Sequence, residues 1–166
     1  GSLSTPENPP SPERGQLPSG SGTGRSLNLY VESSAALSWL LSEDHAEEVR
    51  QTIASAEIVI SSELTLIECD RALVRGVALA VMTEAAAADL RRLLAQAAEH
   101  WDLLRLDQEI IERARRPFPR EPIRTLDAIH LAAARTLGDE LTAVVTYDER
   151  MAAAGGRLGL PVGAPR

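Results

Sequence analysis

Four acidic residues, Glu32, Glu68, Asp127 and Asp148, have the types and settings that could do chemistry in this chain. Each lies where the surrounding pattern predicts the end of a strand or the face of a helix. Carboxylates that share a cleft repel one another unless a cation neutralises them, and Mg²⁺ and Mn²⁺ prefer oxygen ligands. The sequence therefore indicates a divalent-metal site of the kind that hydrolyses phosphodiester bonds.

Three of these acids also have a structural explanation. Asp127 follows Thr125 in the first turn of a predicted helix, where the helix dipole favours a carboxylate. Asp148 lies between two residues with the spacing of a capping box, and Glu32 directly precedes the serines predicted to open another helix. Taken singly, each of the three is better explained by helix capping than by catalysis.

Glu68 is harder to explain in this way. It lies inside a predicted helix beside Ile67, on an otherwise apolar surface, where a carboxylate needs a cation or several donors. Arg71, three residues further on, could supply a simple salt bridge. The occurrence of all four acids in this order and setting is more specific than any one of them.

The chain of 166 residues contains one cysteine and no lysine. A single cysteine, Cys69, excludes an internal disulfide and a cysteine zinc cage, and its apolar neighbours predict a buried core residue. The absence of lysine excludes a P-loop nucleotide site and Schiff-base chemistry. The net charge of −7 disfavours long-range attraction of nucleic acid, but it suits a protein that is covered by a basic partner, and a bound metal would invert the charge locally.

The chain divides into two compositional zones. Residues 1–26 are rich in proline, glycine and serine and are predicted to be a disordered tail. From residue 27 to residue 166, short apolar strands alternate with helical patterns. Strands are predicted at 27–31, 58–60, 103–106, 142–146 and 160–162, and helices at 35–41, 44–54, 62–74, 83–98, 108–114, 125–137 and 148–154. This alternation predicts an α/β fold, a three-layer α/β/α domain with a mostly parallel central sheet, whose ligands bind at the carboxyl ends of the strands.

Four motifs and a closing strand resemble a known family. They are Glu-Ser-Ser-Ala at 32–35, Ser-x-Leu-Thr-x-x-Glu at 62–68, Arg-Thr-Leu-Asp-Ala-Ile-His-Leu-Ala at 124–132, Val-Thr-Tyr-Asp-Glu-Arg at 145–150 and Gly-Leu-Pro-Val at 159–162. From Leu27 onward the chain resembles PIN-domain ribonucleases, and in particular the VapC toxins of prokaryotic toxin–antitoxin operons. The resemblance implies that residues 27–166 are a PIN-like nuclease domain that hydrolyses RNA phosphodiester bonds with Mg²⁺ or Mn²⁺.

The same resemblance implies roles for individual residues. Glu68, Asp127 and Asp148 match the family's metal-binding and catalytic acids, and the hydroxyls of Ser34 and Thr146 match groups that order the site. Glu32, also expected as a metal ligand, stands where the family normally has aspartate. Its extra methylene moves the carboxylate outward by ~1.5 Å. A catalytically weakened PIN domain that serves as a binding or regulatory module is therefore an alternative, and an unrelated acidic α/β protein with capping carboxylates is a third reading.

The same resemblance implies the partners and the cellular location of the protein. We expect an RNA substrate, a small cognate antitoxin and a homodimer, in a cytoplasmic protein with no membrane association, since the apolar runs fall short of the ~20 residues that span a bilayer. Several arginines flank a proline-rich loop at 117–122, with Phe118 among them. Arg116, Arg120 and Arg124 are candidates for gripping the RNA backbone, although a solvated charged face is the simpler interpretation of such a run.

Overall fold

A computed structural model describes residues 26–165, so the predicted tail lies almost wholly outside the described residues. Within this range the chain alternates five strands with seven α-helices. They are β1 (Asn28–Val31), α1 (Ser33–Leu40), α2 (Ala46–Ser55), β2 (Ile58–Ser62), α3 (Glu63–Ala78), α4 (Glu84–Ala98), β3 (Asp102–Leu104), α5 (Gln108–Arg115), α6 (Thr125–Thr136), β4 (Ala143–Val145), α7 (Glu149–Arg157) and β5 (Val162–Gly163). A 3₁₀ turn at Gly138–Glu140, not predicted from the sequence, joins α6 to β4.

The five strands form one sheet in the order β3-β2-β1-β4-β5, and every neighbouring pair is parallel. The central strand is β1, where Leu29 lies opposite Val59 of β2 and Ala143 of β4. All four residues of β1 are buried, as expected for a strand that is covered on both faces. The predicted parallel α/β architecture is therefore confirmed, and the strands' carboxyl ends meet at one edge.

The two faces of the sheet have separate cores because successive strand residues point to opposite sides. Tyr30 packs into a cluster that includes Leu131 of α6 and also contains residues of α5 and α7. Leu29 and Val31 pack into the other cluster, with Cys69 of α3 and residues of α1 and α4. The helices thus form two layers around the sheet, which completes the predicted three-layer arrangement.

The helix starts differ in detail from the predictions. The cap of α1 is Glu32 rather than a serine, because its carboxylate accepts the backbone N–H of Ser34. Asp148 is itself the cap of α7 and accepts the N–H groups of two residues in its first turn. At α6 the cap position is occupied by Arg124, whose side chain makes no capping bond, and Thr125 is the first helical residue. Carboxylates therefore begin two of the helices at the carboxyl edge of the sheet.

Two further expectations concern the core and the membrane. Cys69 is fully buried, and burial raises the pKa of its thiol to about 12, so it behaves as the core residue that the sequence predicts. No helix between residues 26 and 165 is long and apolar enough to cross a bilayer.

Candidate active site

The carboxylate of Glu32 occupies a pocket of hydroxyl groups at the end of β1. Its Oε2 atom accepts hydrogen bonds from Ser34 Oγ (2.6 Å), Ser34 N (3.1 Å) and Thr146 Oγ1 (2.7 Å). Its Oε1 atom accepts from Ser33 Oγ (2.7 Å). The residue is only 5% exposed. Four donors satisfy the oxygens of this carboxylate and compensate for its burial, so it has little contact with solvent.

The hydroxyls of Ser34 and Thr146 connect Glu32 to the loop after β4. Ser34 Oγ accepts the backbone N–H groups of Tyr147 (2.8 Å) and Asp148 (3.1 Å), and Thr146 Oγ1 also accepts that of Asp148 (3.1 Å). Each hydroxyl therefore donates to the carboxylate and accepts from the backbone. This arrangement fixes the start of α7 relative to the start of α1.

The second acidic feature is the pair of Asp127, on the first turn of α6, and Asp148, the cap of α7. The guanidinium of Arg124 lies between them: Nε donates to Asp127 Oδ2 (2.8 Å), and Nη2 donates to Asp127 Oδ1 (3.2 Å) and Asp148 Oδ2 (2.8 Å). The hydrogen bonds to Asp127 and then Asp148 raise the pKa of Arg124. One side-chain cation thus pairs with two carboxylates from different helices.

Asp148 is held by its own helix as well as by Arg124. Its Oδ1 atom accepts the backbone N–H groups of Arg150 (2.8 Å) and Met151 (3.0 Å). Partial burial raises the pKa of Asp148, but the hydrogen bonds from Met151, Arg124 and Arg150 outweigh it, so the pKa is lowered overall. Asp148 is therefore ionised at neutral pH and combines a capping role with a position at the acid pair.

Glu68, the acid in the middle of α3, is paired across the edge of the sheet. Its Oε1 atom lies 2.6 Å from Nε2 of His130 on α6, and Nδ1 of His130 lies 2.9 Å from the Tyr30 hydroxyl. The salt bridge to Arg71 considered from the sequence is replaced by this contact. Glu68 is therefore linked to the helix that carries Asp127, because His130 is three residues, or nearly one turn, after Asp127.

The four acids do not form a closed metal cage in this structure. Among residues 26–165, no group of three or more His, Cys, Asp or Glu side chains lies close enough together to hold a metal ion. The chemistry of the acid pair nevertheless fits a divalent cation, since Asp127 and Asp148 already share a positive group and offer carboxylate oxygens. Glu32 is the least accessible of the four acids to an ion from solvent.

The chain matches the PIN domain family model over residues 29–157. The chain belongs to the PIN domain family. It is also 38% identical to ribonuclease VapC46 of Mycobacterium tuberculosis over 138 residues, which are 82% of this chain and 97% of that protein. Ribonuclease VapC35 of the same organism is 36% identical over 141 residues, covering 84% of this chain and 88% of that protein.

Solved structures of low sequence identity share the PIN fold. Mycobacterium tuberculosis VapC20, described as a toxin that cleaves the sarcin–ricin loop, matches with a TM-score of 0.58 and 20% identity over 76% of this chain and 95% of its own. VapBC2 from Rickettsia felis, solved with a fragment of promoter DNA, matches with a TM-score of 0.59 and 9% identity over 84% of this chain and 100% of the matched chain.

The arginines predicted to contact RNA differ in their surroundings in this PIN domain. Arg124 holds the acid pair, Arg116 lies 4.0 Å from Glu112 of α5, and Arg120 is exposed on the proline-containing loop. Phe118 is 7% exposed and packs in the core, so it does not offer a stacking face to a nucleic acid base.

Sequence reasoning did not identify two features of the PIN domain site. Arg124 was considered only as an RNA ligand, although its position three residues before Asp127 is a spacing that allows a side-chain pair. Tyr30 was counted only as a strand residue. Its place two residues before Glu32, on the same side of the extended chain, was the available signal that its hydroxyl could reach the site.

Proposed function

We propose that this chain is a metal-dependent endoribonuclease that acts as the toxin of a toxin–antitoxin pair, with residues 27–166 as the nuclease domain, in the cytoplasm. The observation that carries the proposal is the position of Arg124 between Asp127 and Asp148. Two carboxylates from different helices share a cation at the sheet edge where ligands bind in parallel α/β folds. The family match and the ribonuclease relatives support the class of reaction.

Each acid has a distinct part in the proposed site. Asp127 and Asp148 would hold Mg²⁺ or Mn²⁺ in place of the guanidinium, Glu68 would complete the ligand set from α3, and Glu32 would contribute through its less occupied Oε1 atom. A bound divalent ion lowers the pKa of water and neutralises charge on the scissile phosphate. Ser34 and Thr146 hold the Glu32 carboxylate and the Asp148 backbone in place.

In this proposal the arginines bind the RNA substrate. Arg124, when displaced from the acid pair, would remain beside it and could contact an RNA phosphate. Arg116 and Arg120 would contact the backbone further along the strand. Such contacts would be sensitive to ionic strength, because they replace condensed counterions on the RNA.

The decisive experiment measures cleavage of a structured RNA with and without Mg²⁺ or Mn²⁺. We expect cleavage with either ion and none in excess EDTA. Glu68→Gln should abolish it, whereas Asp70→Asn on the same helix, where Asp70 only pairs with Arg91 of α4, should leave it unchanged. Cleavage that persists in EDTA, or equal activity of the wild type and Glu68→Gln, would refute the proposed mechanism.

A catalytically weakened PIN domain that serves as a binding module is the second candidate. The burial of Glu32 and its four hydrogen bonds favour it, because an occupied carboxylate is a poorer metal ligand. Glu32→Asp discriminates between the two, since it shortens the reach without changing the charge. We expect the variant to increase Mg²⁺-dependent cleavage. A wild type that is equally active would show a site adapted to glutamate, and inactivity of both would favour the binding module.

We also propose a cognate antitoxin that covers the acid pair. Because Asp127 and Asp148 already accept a guanidinium from Arg124, an arginine or lysine in the antitoxin's C-terminal segment could enter the same place. Addition of this antitoxin should stop RNA cleavage, and replacement of its basic residue by alanine should restore cleavage. Unchanged inhibition by that alanine variant would place the contact elsewhere.

A homodimer is the last part of the proposal. Ile67 and Val74 of α3 and Leu93 of α4 are exposed large apolar residues, which favours a further contact. Sedimentation velocity over a range of micromolar concentrations should show a dimer. A monomer that is unchanged by concentration would exclude it.

A further inference from the structure

A line of hydrogen bonds runs from the core of the domain to one acid of the site. It begins at the hydroxyl of Tyr30 on the central strand, passes through both nitrogens of the His130 ring and ends at Glu68 Oε1. Tyr30 and His130 are 0% and 1% exposed, whereas the Glu68 side chain is 23% exposed. The line therefore joins a rigid interior to a carboxylate that solvent can reach.

The chemistry of the three groups sets the direction of each bond. A carboxylate can only accept, so the hydrogen between Glu68 and His130 belongs to Nε2. In the neutral ring Nδ1 then carries no hydrogen and must accept one from the Tyr30 hydroxyl. The Glu68 carboxylate thereby selects the Nε2–H tautomer of His130, and the Tyr30 hydroxyl, which can donate or accept, supplies the hydrogen that Nδ1 accepts.

The line also spans the two helical layers. Glu68 belongs to α3, which packs with the cluster around Leu29, and His130 belongs to α6, which packs with the cluster around Tyr30. His130 is three residues after Asp127 on the same helix. A contact between His130 and Glu68 therefore fixes the position of one acid relative to another acid on a different layer.

Glu68 needs such a partner if it is to hold a defined position. A glutamate side chain on a helix surface has considerable rotamer freedom, and its neighbour Ile67 is 52% exposed and does not enclose it. His130, in contrast, is packed on all sides and tied to the central strand. The ring can orient the carboxylate because packing and the bond to Tyr30 hold its own orientation.

We infer that His130 is a positioning residue that orients Glu68 for metal binding, and that the hydrogen bond between the Tyr30 hydroxyl and Nδ1 holds the ring in place from its other side. The inference rests on the proposed function, and it adds two residues to which none of the four acidic motifs assigns a role. Hydrogen-bond partners of metal ligands commonly change metal affinity by about 10- to 100-fold when they are removed.

The test compares His130→Leu, His130→Gln and Tyr30→Phe by Mn²⁺ titration calorimetry on the full chain. Leucine fills the space without a donor, and glutamine keeps an N–H near the place of Nε2. We expect His130→Leu to weaken Mn²⁺ binding by about 10- to 100-fold. His130→Gln should recover most of that loss, and Tyr30→Phe should cause a smaller one. His100→Leu, at an exposed position, is the control and should bind like the wild type.

A spectroscopic measurement tests the line without metal. In ¹⁵N-labelled wild type, the His130 ring should show a protonated Nε2 and an unprotonated Nδ1, and the Nε2 signal should shift in Glu68→Gln. A ring with the opposite tautomer would overturn the inference. Thermal unfolding shows whether His130→Leu folds. If it does not, the glutamine and phenylalanine variants still decide the question. Wild-type Mn²⁺ affinity in Tyr30→Phe together with a large loss in His130→Gln would contradict the inference.

The outcomes separate this inference from the proposed function. If the wild type binds Mn²⁺ and His130→Leu binds it equally well, the positioning role is wrong while the nuclease proposal stands. If the wild type binds no divalent ion and cleaves no RNA, the proposed function fails. The positioning role then fails with it, and the hydrogen-bonded line is purely structural.

Discussion

The Glu32 pocket and the Asp127–Asp148 pair stabilise their carboxylates in different ways. Glu32 is 5% exposed and is surrounded by neutral donors that belong to the ends of β1 and β4. The aspartate pair shares the side chain of Arg124, which is 50% exposed. Hydroxyl donors packed in the interior cannot leave without exposing unsatisfied groups, whereas an arginine at the surface can move into water. The first arrangement is therefore permanent, and the second can exchange one cation for another.

The largest expected effect is loss of cleavage when the exchangeable pair is changed. Asp127→Asn and Asp148→Asn should each reduce RNA cleavage by at least about 100-fold, because metal-supported hydrolysis tolerates little displacement of its ligands. The measurement is the rate of cleavage in Mg²⁺, with Asp89→Asn on the surface of α4 as the control. Retention of activity in both variants would remove the pair from the mechanism.

The same substitutions should not increase stability. Arg124 already offsets the repulsion between the two aspartates, so neutralising one of them removes an attraction rather than a repulsion. Asparagine at residue 148 remains a good helix cap, so we expect a loss of about 1 kcal/mol or less. A clear rise in the free energy of unfolding would show that repulsion outweighs the bond to Arg124.

Removal of the Glu32 carboxylate from its pocket should lower the stability of the folded protein. Glu32→Ala leaves the donors of buried Ser33 and Thr146 and of half-buried Ser34 without their acceptor, so we expect the free energy of unfolding to fall by about 3 kcal/mol. Chemical denaturation measures this, and the exposed Glu57→Ala should change stability by less than about 0.5 kcal/mol. A change at Glu32 as small as that at Glu57 would contradict the distinction between the two regions.

Removal of the Arg124 guanidinium from the acid pair should have a smaller effect, on the affinity for Mn²⁺. Arg124→Met should increase Mn²⁺ affinity about two- to fivefold, the range expected for an exposed ion pair, and the increase should shrink at high salt. RNA cleavage should nevertheless fall, because the same arginine is proposed to contact the substrate. Arg120→Met is the matched control, since Arg120 lies on the same loop and should leave Mn²⁺ affinity unchanged. Lower affinity in Arg124→Met would mean that Arg124 supports metal binding instead of competing with it.

The smallest effect concerns acid stability. The pKa of Asp148 is lower in the folded protein than its ordinary value of 3.8, so its contribution to stability is complete above that value and is lost as the pH falls through the folded pKa. We expect the free energy of unfolding of the wild type to fall more steeply below about pH 4 than that of Asp148→Asn. Denaturation curves between pH 3 and pH 6 measure the difference. Parallel curves would show that the bonds to Asp148 do not favour its ionised form.

Sequence reasoning predicted the fold well because the signals are local. The buried run at residues 28–31 and the β-branched run at 58–60 identify strands, and the alternation with helices predicts the parallel sheet that the structure contains. The predicted starts of α1 and α7 differ from the observed ones by one or two residues, because acidic side chains and not hydroxyls cap these helices. The strand β3 begins one residue earlier and ends two residues earlier than predicted.

The pairing within the candidate site could not be predicted in the same way. Glu32 and Thr146 are 114 residues apart, and Glu68 and His130 are 62 apart, so no periodicity relates them. The sequence named all four acids as candidates but not which donor each would meet. Only the short-range contact between Arg124 and Asp127 had a readable spacing.

The position of β4 between β1 and β5 has a consequence for the synthesis of this protein. The strands β1, β2 and β3 are adjacent in the sheet and precede residue 105, so they can pair early on the ribosome. The pocket of Glu32 cannot form before Thr146 is made, 114 residues after Glu32. At common translation rates this takes about 6 to 23 s. A growing chain therefore carries an incomplete acidic edge while residues 33–146 are being made, and the competent site arises only after the start of α7 has left the exit tunnel.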